Sequence, residues 1–126
     1  MLVVEEARSR GIEILLATHA HRFAKPLSPR DEEMLVAWRK FYPLAGGDCL
    51  IKMETEANAI ICRTAKDQGA YLVDVAAAVA PCAENFSDFV HFTERGAHLA
   101  AEALAKKVLV IDGPVAQYSY RWQQPQ

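Results

Sequence analysis

The sequence has few cysteines and no excess of basic residues, and each absence excludes a class of protein. Its three cysteines, Cys49, Cys62 and Cys82, include no pair at Cys-x-x-Cys spacing, so a zinc site or a disulfide framework is not expected. Reduced cysteines that serve as small apolar side chains are the favoured interpretation, with a Cys49–Cys82 bridge as the alternative for an exported protein. The formal net charge of -2 gives no reason to expect nucleic-acid binding, which needs a basic surface.

Long apolar runs are also missing. No stretch approaches the ~20 apolar residues that span a bilayer. The first residues include Glu5, Glu6, Arg8 and Arg10 and do not resemble a signal peptide. We therefore expect a soluble protein, cytoplasmic or secreted, with any signal peptide upstream of this chain. The 126 residues, of which 52% are hydrophobic, suffice for one domain with a core.

Strand and helix patterns alternate along the chain. Two short runs rich in β-formers, residues 12–18 and 71–75, are predicted to be buried parallel strands. Helical patterns surround them: one that Gly11 ends, one that Ser28 caps, one over residues 53–68, a short alanine-rich stretch before Pro81, and a last helix that Thr93 caps. This order predicts an α/β fold whose right-handed crossover places the strands side by side. Because two strands make a poor independent core, we expect part of a larger domain.

Apolar spacing predicts the inward faces of the long helices. The predicted inner positions are Ala57, Ile60, Ile61, Thr64 and Ala65 in the helix over 53–68, and Ala97, Ala100, Ala101, Leu104 and Val108 in the last helix. In the helix that begins at Ser28, the aromatic residues Trp38, Phe41 and Tyr42 either cover a pocket as a lid or pin that helix to the core. We expect residues 110–126, rich in Gln, Tyr and Pro, to form an extended or mobile tail.

The candidate chemistry lies in residues 85–97, where Asp88 and His91 stand three residues apart just before the last helix. Loops at the mouth of an α/β sheet are where such folds place their sites. A carboxylate that binds one imidazole nitrogen leaves the other nitrogen as a base for a hydroxyl, as acyl transfer requires. On spacing alone, the favoured interpretation is a surface aspartate that caps a turn beside a structural histidine.

The residues around Asp88 and His91 favour the interpretation in which the carboxylate orients the imidazole as a base. The segment Asp88-Phe89-Val90-His91-Phe92-Thr93-Glu94-Arg95-Gly96-Ala97 resembles the last block of the SGNH, or GDSL, hydrolases. In that block, Asp-x-x-His precedes an apolar residue, Thr or Ser, a Gly and the closing helix. The strand ends Leu15-Leu16-Ala17-Thr18 and Val73-Asp74, and the helical stretch Glu56-Ala57-Asn58-Ala59-Ile60, are similar to upstream parts of the family.

The resemblance covers about residues 2–109. It implies the C-terminal portion of a three-layer α/β/α, flavodoxin-like fold that hydrolyses esters, with His91 as the catalytic base and Asp88 as its orienting carboxylate. It implies no cofactor and no metal, and the substrate would be a small-molecule, carbohydrate or lipid ester.

The family's other blocks are missing from this chain. Its serine nucleophile lies in a Gly-Asp-Ser block and its oxyanion donors in Gly- and Asn-containing blocks. The nearest string here, Gly47-Asp48-Cys49, follows no predicted strand. We therefore expect a chain that supplies the His–Asp pair and is inactive alone. The alternative function is a non-catalytic α/β interaction module or dimerising fragment that self-associates through a sheet edge left exposed by missing strands.

Further candidates follow the first predicted strand. His19 and His21 are weak candidates for substrate binding, since with Arg22 and Lys25 they could line the mouth of the site. Solvated loop residues are the simpler interpretation. A metal site made of His19, His21, Asp88 and His91 fits the spacing but is not favoured. His98 is expected on the surface or in partly buried packing.

Overall fold

A computed structural model describes residues 2–112, which form an α/β arrangement of helices around a small parallel sheet. The strands pair with Leu15 opposite Tyr71 and Ala17 opposite Val73. The predicted α/β class and the side-by-side parallel strands are therefore confirmed. In chain order the elements are α1 Leu2–Ser9, β1 Leu15–Ala17, α2 Pro29–Trp38, α3 Gly47–Gln68, β2 Tyr71–Val73, α4 Val75–Ala78 and α5 Glu94–Asp112.

Helix α5 includes residues 110–112, where we had expected the tail to begin. The rest of the expected tail, residues 113–126, lies outside the described residues. No helix among residues 2–112 combines the length and the apolar character that a bilayer crossing requires.

The carboxyl ends of the two strands are tied together by the side chains that follow them. The hydroxyl of Thr18 donates to Asp74 Oδ1 at 2.8 Å and accepts from the N–H of Ala76 at 3.0 Å. Asp74 also caps α4 by accepting from the N–H of Ala77 at 3.1 Å. The loop that leaves β1 and the helix that leaves β2 therefore start from one fixed edge.

The prediction that residues 12–18 form one buried strand is wrong at its ends. Strand β1 covers only Leu15–Ala17, and Ala17 is exposed. Backbone hydrogen bonds of 3.0 Å join Ile14 and Thr18 to β2. Since backbone groups alternate between the two edges of a strand, those of Leu15 and Ala17 face the opposite edge. Within residues 2–112 that edge has no neighbouring strand, so β1 is covered on one edge only.

Helix α3 begins at Gly47 rather than at about Met53, which corrects the prediction. Gly46 is its N-cap, and a Cβ on Gly47 would lie 2.6 Å from Leu35 Cδ1. The missing side chain therefore allows the start of α3 to lie directly against α2. The helix ends as predicted at Gly69, whose φ of 61° is the left-handed conformation that glycine adopts readily.

Buried side chains form two clusters. The first lies between β2, α4 and α5 and contains Val73, Val75, Val79, Phe86 and Ala100, together with Ala20. The second lies between α2, α3 and the neighbouring loops and contains Phe23, Leu35, Leu50 and Phe89. The segment between α4 and α5 contributes Phe86 to one cluster and Phe89 to the other, so it joins them.

The predicted inward faces of α3 and α5 are only partly correct. Ala65 of α3 and Ala100 of α5 are buried, and Leu104 packs against the first cluster. Five predicted inner residues are exposed instead, namely Ala57, Ile60, Ala97, Ala101 and Val108. A sheet of two short strands is too narrow to cover a helix of 22 residues, which explains the uncovered positions of α3.

Candidate active site

Three phenylalanines spaced by three residues anchor the loop before α5. Phe86 is fully buried in the first cluster, and its ring lies 5.1 Å from that of Phe92. Phe89 is buried in the second cluster. Because these rings point into the two clusters, the polar residues between them, Asp88 and His91, stay at the surface.

Backbone hydrogen bonds close this loop. The N–H of Ser87 donates to the carbonyl of His91 at 2.9 Å, and the Ser87 hydroxyl donates to the same oxygen at 3.1 Å. The N–H of Thr93 donates to the carbonyl of Asn85 at 2.9 Å, beside an antiparallel bridge between Phe86 and Phe92. Residues 87–91 are thus a tight turn whose ends are held together.

Asp88 and His91 are in contact, as their spacing predicted. The ring nitrogen Nδ1 of His91 lies 2.7 Å from Oδ2 of Asp88. The other oxygen, Oδ1, accepts from the N–H of Val90 at 3.0 Å and from the N–H of His91 at 2.8 Å. One carboxylate oxygen therefore caps the turn and the other orients the ring, so both interpretations of the spacing describe the same aspartate.

The charge of Asp88 determines which nitrogen of His91 is basic. Burial alone would raise the pKa of Asp88, but hydrogen bonds from the backbone and ring of His91 and from Val90 together lower this pKa below its ordinary value. An ionised carboxylate only accepts hydrogen bonds, so we assign the proton to Nδ1 and the free lone pair to Nε2. The His91 side chain is 76% exposed, so this base is accessible.

Among residues 2–112, no nucleophile lies beside the pair. Within the described residues, no side-chain hydroxyl or thiol is hydrogen-bonded to the His91 ring, and Ser87 donates to the backbone instead. The string Gly47-Asp48-Cys49 lies in the first turn of α3 and does not follow a strand. Cys49, Cys62 and Cys82 are all free, and only Cys49 is exposed.

His19 belongs to a second histidine–carboxylate pair that the sequence did not indicate. Its Nδ1 lies 2.8 Å from Oε2 of Glu54 in α3. The side chain of Asn58 accepts from the N–H of His19 at 2.7 Å and donates to its carbonyl at 2.8 Å. The partners are 35 and 39 residues away, so no local spacing could reveal them. Helix α3 therefore fixes the loop that follows β1.

His21 lines a depression of about 410 Å³ together with Lys25, Thr55 and mainly apolar neighbours. Its ring stacks on Phe89 with centroids 5.8 Å apart, and its Nδ1 is buried without a hydrogen-bond partner among the described residues. His21 therefore connects the depression to the loop of His91, because it contacts Phe89, the residue that follows Asp88. Roles for His19 and His21 in substrate binding stay predictions.

Arg22 does not line the mouth of the site. Its side chain is buried, and its Nε donates to Asp31 Oδ1 at 2.6 Å while a terminal nitrogen donates to the carbonyl of Phe86 at 3.3 Å. These partners satisfy a guanidinium that burial would otherwise destabilise. Lys25 is exposed and pairs with Asp48 at 2.7 Å.

The four residues of the alternative metal site do not assemble. His19 pairs with Glu54, and His91 pairs with Asp88. No three metal-binding side chains within residues 2–112 form a cluster that could hold an ion. His98 is exposed on α5, as expected.

The protonation of His21 predicts a loss of stability in mild acid. Burial lowers the pKa of His21 below 6.5, assisted by His19 and opposed by Glu54. Below about pH 6.5 the unfolded chain therefore binds a proton that the folded chain resists, so the free energy of unfolding falls as pH decreases. His21→Phe keeps a ring beside Phe89 and should flatten this decline, measured by urea denaturation at about pH 7.5 and about pH 5.5.

The exposed His98 supplies the matched control for this measurement. His98→Phe should keep the pH dependence of the native chain because His98 lies exposed on α5, away from the buried contacts of His21. An equal decline in the His21 and His98 variants would contradict the prediction.

No known family model matches the chain, and comparisons with curated proteins and with solved structures found no significant match. The interpretation of the site therefore depends on its own geometry and on the residues around His91.

Proposed function

We propose that this chain supplies the acid–base half of an SGNH-type ester hydrolase, with His91 as the base and Asp88 as its orienting carboxylate. The observation that carries the proposal is the 2.7 Å contact between Asp88 Oδ2 and His91 Nδ1, which leaves Nε2 as an accessible acceptor. In acyl transfer such a nitrogen accepts the proton of a serine hydroxyl as its oxygen attacks the ester carbonyl. It then returns the proton to the leaving alcohol.

One edge of β1 has no neighbouring strand within the described part of the chain, and this free edge supports the larger fold in this proposal. A three-layer α/β/α sheet would continue with parallel strands beside β1, and the outward backbone groups of Leu15 and Ala17 are available for that pairing. Helix α3 connects β1 to β2 and contacts both strands, as a crossover helix does.

The serine and the oxyanion donors must come from a different segment or chain. The sequence has no Gly-Asp-Ser block, and a His–Asp pair alone lacks the covalent route. Loss of a single oxyanion donor already costs about 10²–10³ in rate. We therefore expect turnover by this chain alone to stay near the uncatalysed background.

Complementation tests the proposal. The chain would be fused to the N-terminal half of an SGNH hydrolase, cut before the strand that corresponds to β1, and assayed on a short-chain aryl ester. We expect hydrolysis by the fusion and none above background by either half. A folded fusion without activity, or full activity in the chain alone, would contradict the proposal.

A non-catalytic interaction module is the second candidate, and the same free edge favours it. Unpaired edge strands add a further strand readily, so two copies could join through β1. In the complementation assay this function predicts no turnover, together with a dimer on a sizing column.

A further inference from the structure

An exposed apolar surface lies at the end of α2 and in the turn that leads to α3. Val36, Phe41, Tyr42 and Leu44 are 63%, 75%, 52% and 100% exposed. Single exposed apolar residues are ordinary, but four large ones within nine residues are a concentration that the packing of the described residues does not account for. We call Val36, Arg39, Lys40, Phe41, Tyr42 and Leu44 the 36–44 surface.

The charge of this surface is positive. Residues 36–44 contain Arg39 and Lys40 and no acidic residue. Both cations are exposed, and neither forms an ion pair with another described residue. Glu32 and Asp48 lie on one flank, in a depression they share with Val36 and Arg39, and Asp48 is already paired with Lys25.

Aromatic contacts hold the exposed residues in place. The Trp38 ring lies 5.5 Å from Tyr42 and 6.1 Å from Phe41, and on the inner side it lies 5.3 Å from Phe89. Trp38 therefore pins α2 to the core, one of the two roles considered for these aromatics. Because Phe41 and Tyr42 rest on a fixed residue, they stay outward rather than folding into the interior.

We propose that the 36–44 surface binds an anionic lipid bilayer. Phe41, Tyr42 and Leu44 enter the headgroup region, where aromatic and apolar side chains are stabilised. Arg39 and Lys40 bind the lipid phosphates through their charge. A protein partner would need a recess shaped for Leu44, whereas a bilayer accepts a fully protruding side chain without one. A lipid of that bilayer is then the ester substrate, a step that rests on the proposed function, whereas the binding does not.

Vesicle co-sedimentation with the full chain tests the surface without any catalytic reaction. We expect binding to phosphatidylcholine vesicles that contain phosphatidylserine, and much weaker binding to phosphatidylcholine alone. Added salt should weaken the binding because it screens the phosphates. No binding by the native chain to the anionic vesicles would overturn the proposal.

Matched variants locate the contact. Arg39→Gln/Lys40→Gln should weaken binding about 30-fold, whereas Arg63→Gln/Lys66→Gln, with the same change of charge on α3, should not. Phe41→Ser/Leu44→Ser should weaken binding about tenfold or more, and the similarly exposed pair Val3→Ser/Val110→Ser should not.

Two outcomes would overturn the assignment of this surface. One is equal weakening by the 36–44 variants and their controls. The other is a native dimer that Phe41→Ser/Leu44→Ser converts to a monomer on a sizing column, without vesicle binding, which would identify an interface between copies.

Discussion

Replacing His91 with alanine should lower ester turnover by the complemented protein at least about 10⁴-fold. The serine hydroxyl is a weak nucleophile until a base accepts its proton. On the loop before α5, only His91 among the described residues combines an ionised carboxylate partner with an accessible ring nitrogen. The loss should appear in kcat, with little change in KM, because the ring acts in the transition state. His98→Ala, which removes another exposed histidine, is the control and should keep the rate.

Asp88→Asn separates the orientation of the ring from the shape of the turn. The amide oxygen can still accept from the N–H groups of Val90 and His91, so the turn is retained. The amide nitrogen, however, donates toward Nδ1 and stabilises the tautomer that carries its proton on Nε2. We expect a loss of about 10⁴-fold in kcat. The urea midpoint should fall only slightly, because the amide retains the hydrogen bonds of the turn but loses the charge of the carboxylate. Near-normal rates in either the His91 or the Asp88 variant would contradict the assignment of the pair.

Gly96→Ala should destabilise the protein by about 3 kcal/mol, the largest effect on stability that we expect from adding one methyl group. A Cβ on Gly96 would lie 2.0 Å from the carbonyl oxygen of Asn85 and 3.1 Å from the ring of Phe92. Asn85 cannot retreat easily, because its carbonyl accepts from Thr93 at 2.9 Å and its side chain donates to Ala80 at 2.9 Å. Helix α5 must therefore move away from the loop that carries His91.

Urea denaturation of the native chain and of the Gly96→Ala variant measures this loss of stability. Gly46→Ala is the control, since its added Cβ meets only the flexible end of Arg39 at 4.0 Å and should cost about 1 kcal/mol or less. Similar losses in the two variants would show that the contact with Asn85 does not limit the approach of α5. In the complemented protein, Gly96→Ala should also lower turnover, because the loop loses its support.

The local part of the site could be predicted from the sequence. Asp88 and His91 are three residues apart, so a single turn determines their contact and no distant residue is needed. Thr93 caps α5 for the same reason, with its hydroxyl accepting from the N–H of Gly96 at 3.2 Å. The spacing of Phe86, Phe89 and Phe92 is a further local signal, because a loop with regularly placed aromatic residues is anchored rather than mobile.

The long-range part could not be predicted. The bond between His19 and Glu54, and that between Arg22 and Phe86, depend on how α3 and the loops meet in space. The extent of β1 depends on its neighbours, since a strand with one partner is ordered only where that partner runs beside it. Apolar spacing indicated a buried strand but contained no information on how many strands would cover it.

Arg22 links helix α2, at whose end the 36–44 surface lies, to the loop that carries His91. Its backbone N–H donates to the carbonyl of Phe89 at 2.9 Å, and its guanidinium spans from Asp31 at the start of α2 to Phe86 in the loop of His91. A chain resting on lipid through the far end of α2 would therefore hold the imidazole at a constant height above the bilayer. The bond of a lipid that the ring nitrogen of His91 reaches would then depend on the fixed distance between this nitrogen and the 36–44 surface. It would not depend on how tightly the chain binds the bilayer.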